Sequence, residues 1–81
     1  MLNLYVLEEC PYCRKVRTFL EENHIDYTPL FCPYPPEDQT NRENLMELSG
    51  KGQVPFLHDT DRNVKMPESD DIIEYLKTHY L

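Results

Sequence analysis

The chain has 81 residues, room for a single domain spanning 1–81, which buries roughly 60% of its unfolded surface and can carry a small core of its own. Fifteen acidic residues against eight basic give a net charge of −7, which argues against nucleic acid as a partner, because a phosphate backbone meets repulsion over most of the surface. Three cysteines form no disulfide framework, no basic leader precedes the first apolar run, and no segment approaches the roughly 18 apolar residues of a membrane span, so the expectation is a soluble cytoplasmic protein in a reducing compartment.

Met1 to Leu7 is nearly continuous in apolar residues, the pattern of a strand buried on both faces. Glu8-Glu9 breaks the run, and Cys10-Pro11-Tyr12-Cys13 follows at the head of a segment with helical periodicity. Cys10 falls at the N-cap and Pro11 at the first helical position, where a fixed φ and a missing amide hydrogen cost nothing. The free amides of that first turn and the positive end of the helix dipole point at the Cys10 sulfur and favour thiolate over thiol. Cys10 is therefore the expected nucleophile. Cys13, one turn further in, is expected to be more buried, to keep an ordinary thiol pKa and to resolve the mixed disulfide formed at Cys10. A metal site is the competing reading of such a pair. Zinc needs four ligands, however, and beyond these two cysteines the chain offers only Cys32, His24, His58 and His79, none at ligand spacing, so no metal is expected. Arg14, Lys15 and Arg17 cluster just after the dithiol and would steer an anionic ligand there.

Tyr12 to about Glu22 reads as a helix with Val16, Phe19 and Leu20 on one face, closed by Asn23-His24, residue types that tolerate the left-handed conformation of a C-cap. Ile25 to Phe31 supplies a second strand, completing a βαβ unit with both strands parallel and the dithiol at the carboxyl end of the first. Cys32-Pro33-Tyr34-Pro35-Pro36 is a loop, and Cys32 reads as a packed or partly exposed thiol at the strand end. Thr40-Asn41-Arg42-Glu43 matches a capping box for a short helix carrying Leu45 and Leu48 and stopped by Gly50. Val54-Pro55-Phe56-Leu57 reads as a third strand, with a proline at its mouth that suits a cis bond or a residue offering its backbone outward. His58 to Asn63 reads as a polar turn and Asn63 to Met66 as a fourth strand. Ser69 is expected to cap the last helix, with Asp70 and Asp71 in its first turn and a buried stripe of Ile72, Ile73, Leu76 and Tyr80. His79, in the final turn, suits the negative end of the dipole.

Cys10-Pro11-Tyr12-Cys13-Arg14-Lys15 resembles the dithiol motif of the glutaredoxins, and with Val54-Pro55 and Ser69-Asp70-Asp71 in this order the likeness covers essentially the whole chain. The resemblance implies an α/β, thioredoxin-like fold: a central four-stranded mixed sheet in βαβαββα order flanked by three helices. It implies glutathione as reductant and co-substrate, held by Tyr12, by the Val54 backbone before Pro55, and at the last helix by Glu68, Ser69 and Asp70. There the helix amides meet an α-carboxylate and Asp70 meets the amino group. The phrase Gly52-Gln53-Val54-Pro55 with Glu68-Ser69 looks closer to the amino-terminal domain of glutathione transferases. Leu7-Glu8-Glu9 stands where many glutaredoxins carry a lysine, which leaves Lys51, Gln53 and Arg42 as candidate partners of the glycyl carboxylate.

The implied activity is glutathione-dependent thiol-disulfide exchange on disulfide-bearing or glutathionylated proteins by a monomer, at a potential of roughly −200 to −230 mV typical of glutaredoxins. A second reading is an iron-sulfur carrier in which two chains each give Cys10 to a cluster completed by two glutathiones, although Pro11 is uncharacteristic of that use. A third is a transferase-like glutathione-binding module.

Overall fold

The structure, a computed structural model, describes residues 1–32 and 40–81. The loop reading at Pro33-Tyr34-Pro35-Pro36 lies outside the described residues. Strand β1 (Leu2–Val6) leads through the dithiol into helix α1 (Pro11–Glu22), followed by β2 (Thr28–Phe31), α2 (Thr40–Ser49), β3 (Phe56–Asp59), β4 (Val64–Pro67) and α3 (Ser69–Tyr80). The sheet runs β2-β1-β3-β4, with β1 parallel to β2 and antiparallel to β3, and β4 antiparallel to β3. This is the four-stranded mixed sheet and βαβαββα order implied by the glutaredoxin resemblance.

The central strand is apolar on both sides because it feeds two cores. Leu2, Leu4 and Val6 pack with Val16 and Leu20 of α1, Leu57 of β3, and Ile72, Tyr75 and Leu76 of α3. Tyr5 points to the opposite face and joins Cys32, Leu45 and Phe56 under α2. Period-two alternation thus distributes one strand between two layers of helices.

Several boundaries moved. The second strand begins at Thr28, not Ile25, because the preceding residues close α1: the Ile25 amide donates to Leu20 O at 2.9 Å and the His24 amide to Glu21 O at 3.3 Å, with His24 at φ 54°. These are the two bonds of a Schellman motif, and Ile25 packs against the core as its hydrophobic partner. Thr40 is the first residue of α2 and not its cap. Leu45 is fully buried as expected, and Gly50 ends the helix at φ 74°, its amide reaching Met46 O. The third strand starts two residues later than expected, since Pro55 has no amide hydrogen to give the ladder, and it runs through His58, which pairs with Asn3 and Lys65 and so belongs to strand, not turn. The fourth strand correspondingly starts at Val64, after Asn63 at φ 53°.

The last helix is capped by Glu68, at φ 73° and without a side-chain cap bond, and Ser69 is its first residue. Its buried stripe includes Tyr75, which periodicity did not single out, while Ile73 and Tyr80 are only half-buried. The reason lies at the end of β3. Asp59 is 0% exposed and accepts hydrogen bonds from Tyr75 Oη at 2.6 Å, Tyr80 Oη at 2.7 Å and the Asp61 amide at 3.1 Å, with Arg62 Nη1 at 3.5 Å. Burial raises the carboxyl's pKa, but the tyrosine hydroxyls and neighbouring backbone groups outweigh it and hold the group down at about 2. Asp59 pairs with Leu2, at the end of β1 remote from the dithiol, so this cluster anchors the far end of α3 and thereby fixes where its other end stands.

Candidate functional site

The end of β1 delivers the chain to the dithiol through a turn in which the Cys10 amide donates to Leu7 O at 3.3 Å. Cys10 is the N-cap of α1, with extended backbone (φ −76°, ψ 120°) and its carbonyl already accepting from Arg14 at 3.0 Å, and Pro11 opens the helix. Cys10 is partly exposed and its side chain makes no cap hydrogen bond, so among the described residues the N-cap leaves the first-turn amides open to a ligand. Cys13 is 0% exposed, one turn further into the helix, with the Cys10 side chain close enough to act on its thiol.

Burial pushes the Cys13 thiol up to about 12. A bond from the Leu7 backbone and the Arg17 charge pull it down, and the Cys10 side chain pushes it further up. The expectation of an ordinary thiol at Cys13 is thus corrected: the same turn of helix that hides this sulfur removes the water its thiolate would need. Cys32 is also buried, 1% exposed, at the end of β2, and burial raises its thiol too, against the nearby Arg42 charge.

Beside the motif lies a cavity of about 330 Å³ lined by Tyr12, Gln53, Val54, Pro55, Glu68, Ser69 and Asp70. Three separate elements supply it. Tyr12 projects from the first turn of α1, 65% exposed; the Val54-Pro55 peptide is cis; and the α3 N-terminus brings Glu68, Ser69 and Asp70. All six residues to which the glutaredoxin resemblance assigned glutathione therefore border one cavity.

Of the three candidates for a glycyl carboxylate partner, Gln53 lines this cavity, its Nε2 at 3.5 Å from Glu68 Oε1. Lys51 lines an adjoining hollow that shares Gln53 and Glu68. Arg42 is turned to the Cys32 carbonyl, at 3.1 Å. One contact had no sequence signal: Lys15 of α1 forms an ion pair with Asp70 of α3, 55 residues later, so the expected ligand carboxylate already has a cationic neighbour. Both side chains are exposed, and such a pair is worth about 0–1 kcal/mol, little enough for a ligand ammonium to compete.

A sheet of this order with a dithiol at the head of α1 and a cis-proline beside it defines a thioredoxin-like domain of the glutaredoxin and glutathione transferase class. The chain belongs to the family of glutathione S-transferase N-terminal domains, whose family model matches residues 4–80. An uncharacterised glutaredoxin-like 8.6 kDa protein of the rubredoxin operon in Clostridium pasteurianum is 28% identical over 78 residues, covering 91% of this chain and 99% of that one. Among solved structures, a glutathione S-transferase from the Antarctic clam Laternula elliptica is 32% identical, with a TM-score of 0.81, over 98% of this chain and 35% of its own. Glutaredoxin 2 of Salmonella typhimurium, solved in complex with glutathione, is 25% identical, with a TM-score of 0.75, over 94% of this chain and 32% of its own. The chain thus spans about a third of the length of these solved structures. No helix among the described residues is long and apolar enough to cross a membrane.

Proposed function

We propose that the chain works as a single domain in a reducing compartment, the cytoplasm, as a glutathione-dependent thiol-disulfide oxidoreductase. The observation that carries the reading is the 330 Å³ cavity in which Tyr12, Val54, Pro55, Glu68, Ser69 and Asp70 converge, with Tyr12 two residues along the chain from the partly exposed Cys10. An extended tripeptide thiol fits this arrangement: its backbone pairs with Val54, its α-carboxylate meets the free amides of α3, its ammonium meets Asp70, and its sulfur reaches Cys10.

In the reaction with a glutathionylated protein, Cys10 Sγ attacks the glutathione sulfur. A Cys10–glutathione disulfide forms, and the protein thiolate leaves and takes a proton from water. A free glutathione thiolate then attacks the bound glutathione sulfur, restoring the Cys10 thiolate and releasing glutathione disulfide, so one glutathione thiol is consumed for each protein thiol set free and the disulfide is passed on from protein to glutathione. With a protein disulfide, Cys10 Sγ attacks one sulfur and frees the other as thiolate; Cys13 then gives up its proton and attacks Cys10 Sγ of the mixed disulfide, releasing the second protein thiolate and leaving a Cys10–Cys13 disulfide for two glutathiones to reduce.

The test is reduction of a glutathione mixed disulfide coupled to glutathione reductase and NADPH. Cys10→Ser abolishes turnover and Cys13→Ser keeps part of it; equal loss in both refutes the assignment of roles. The family match also favours a second reading, a glutathione-binding transferase-like module. Conjugation of glutathione to a chromogenic electrophile that survives Cys10→Ser would select it.

A further inference from the structure

From Pro11 of the dithiol motif a groove of about 490 Å³, separate from the cavity at the cis-proline, runs down α1 against Ile73 of α3. Pro11 forms its upper wall, Phe19 and Ile73 are half-buried along it, Arg14 and Lys15 stand at the end near Cys10, and Glu22 stands at the far end. Pro11 to Glu22 at 1.5 Å per residue is about 16 Å, the span of about five extended residues. The groove is therefore electrically polar: cationic beside the reacting sulfur, apolar in the middle, anionic at its end. Lys15 shares its charge with Asp70, whereas Arg14 has no ion pair among the described residues. What sets Arg14 apart is its place, one turn of helix from Cys10 and at the opposite end of the groove from Glu22.

We infer that this groove receives the polypeptide that flanks the target's disulfide. The class it selects has an acidic residue beside the reacting cysteine, an apolar residue next, and a basic residue about five positions away. The inference rests on the oxidoreductase reading and specifies its substrates. As Cys10 takes the glutathione sulfur, the departing peptide thiolate collects a proton from water while its flank still lies along α1. Binding energy from the flank thus acts on the exchange step without touching the glutathione cavity.

Two glutathionylated peptides test it. Both have a central cysteine and the same residues on either side, palindromic so that chain direction does not matter. One places glutamate, leucine and lysine at the first, third and fifth positions outward, with glycine between; the other exchanges glutamate and lysine. Their composition, length and net charge are identical. The ratio of kcat/KM for the two peptides is measured for the native protein and for Arg14→Glu, which cancels any difference in leaving-group acidity between the peptides. The ratio in favour of the acid-inward peptide falls at least about fivefold in Arg14→Glu, and the Arg14→Glu/Glu22→Lys protein, with the groove's polarity inverted, prefers the other peptide. Reduction of the small mixed disulfide of glutathione and mercaptoethanol, which has no flanking peptide, reports any general effect of the charge change on steering of the glutathione anion; both peptides carry the same glutathione, so their ratio is free of that effect. An unchanged peptide ratio with that small-substrate activity intact overturns the groove while leaving the oxidoreductase standing. A native protein inactive on all three substrates removes the underlying activity, and the groove inference with it. If the ratio is unmoved but sedimentation shows a dimer that Arg14→Glu dissociates, the groove's occupant is a second copy of the chain, and the inference is likewise overturned.

Discussion

Cys13 offers the most direct physical test, because its burial has a calculable kinetic consequence. At pH 7.5 an exposed thiol of ordinary pKa is about 10% thiolate, whereas one held at about 12 is about 0.003% thiolate, a deficit of about three thousandfold. The more basic thiolate is intrinsically more nucleophilic, and a Brønsted coefficient of about 0.4–0.5 returns a factor of about 25–50. The net expectation is alkylation about a hundredfold slower than free cysteine. Since Cys13 is 0% exposed, the need for local opening slows it further. Cys32, 1% exposed and also raised by burial, should lag as well.

The reduced protein treated with iodoacetamide at pH 7.5, quenched over time and mapped by fragmentation mass spectrometry, therefore gives one fast site, Cys10. In denaturant all three cysteines react. In a Cys10→Ser background, which removes the Cys10 contribution and leaves burial, the Cys13 rate still climbs with pH past the 8.5 of an ordinary thiol. A Cys13 rate within tenfold of free cysteine, or a plateau near pH 8.5, refutes the reasoning. The same numbers bear on the reaction. Once Cys10 is in a mixed disulfide, its charge no longer holds the Cys13 proton, but burial still does. Resolution is then the slow branch, and glutathione attack at Cys10 competes with it.

Four further outcomes follow from named contacts. Asp59→Ala leaves the Tyr75 hydroxyl buried without its acceptor and removes two charge-assisted bonds, a loss of about 3 kcal/mol, which at about 1 kcal/mol per molar lowers the urea midpoint by about 3 M; a shift under 1 M contradicts it. Tyr80→Phe, which keeps the ring and Tyr75's bond, loses about half as much by the same assay. Because the Asp59 carboxyl is depressed from 3.8 to about 2, its contribution of about 2 kcal/mol is present above pH 4 and lost as pH falls toward 2, a slope that Asp59→Asn removes from acid titrations followed by circular dichroism. Asp70→Ala raises the KM for glutathione about tenfold in the coupled assay while the Tm stays within 2 °C, since the Lys15 pair it breaks is exposed; a fall in Tm with unchanged KM would make Asp70 a structural residue only.

What the chain revealed in advance was its apolar periodicity and its turn chemistry. Val16, Leu20, Ile72 and Leu76 recur at helical spacing and are all fully buried, and the alternating faces of β1 divide between two cores. The dithiol's place at a helix start follows from Pro11 alone, and the residues converging on the cavity were reachable because the glutaredoxin resemblance supplies the pairing of distant segments that spacing cannot. The misses have two causes, a local cap at Ile25 and buried polar pairing at Asp59 and Tyr75. Ile25 looked like strand because its burial serves a helix cap, and Tyr75 fell outside the apolar stripe because it is buried by its hydroxyl's bond as much as by its ring. Asp59, between a histidine and a threonine, read as part of a polar turn, although it is among the most deeply buried side chains of the chain. Polar groups buried in long-range pairs, such as Asp59 with Tyr75 and Tyr80, leave no periodic trace. Each partner alone resembles a surface residue, and only the fold that brings them together removes the water that would otherwise satisfy them. Lys15 and Asp70 extend the argument to the site: they become neighbours only in the folded chain, where Ile72 and Leu76 pack the last helix into the core shared with α1 and the Asp59 cluster ties down its far end.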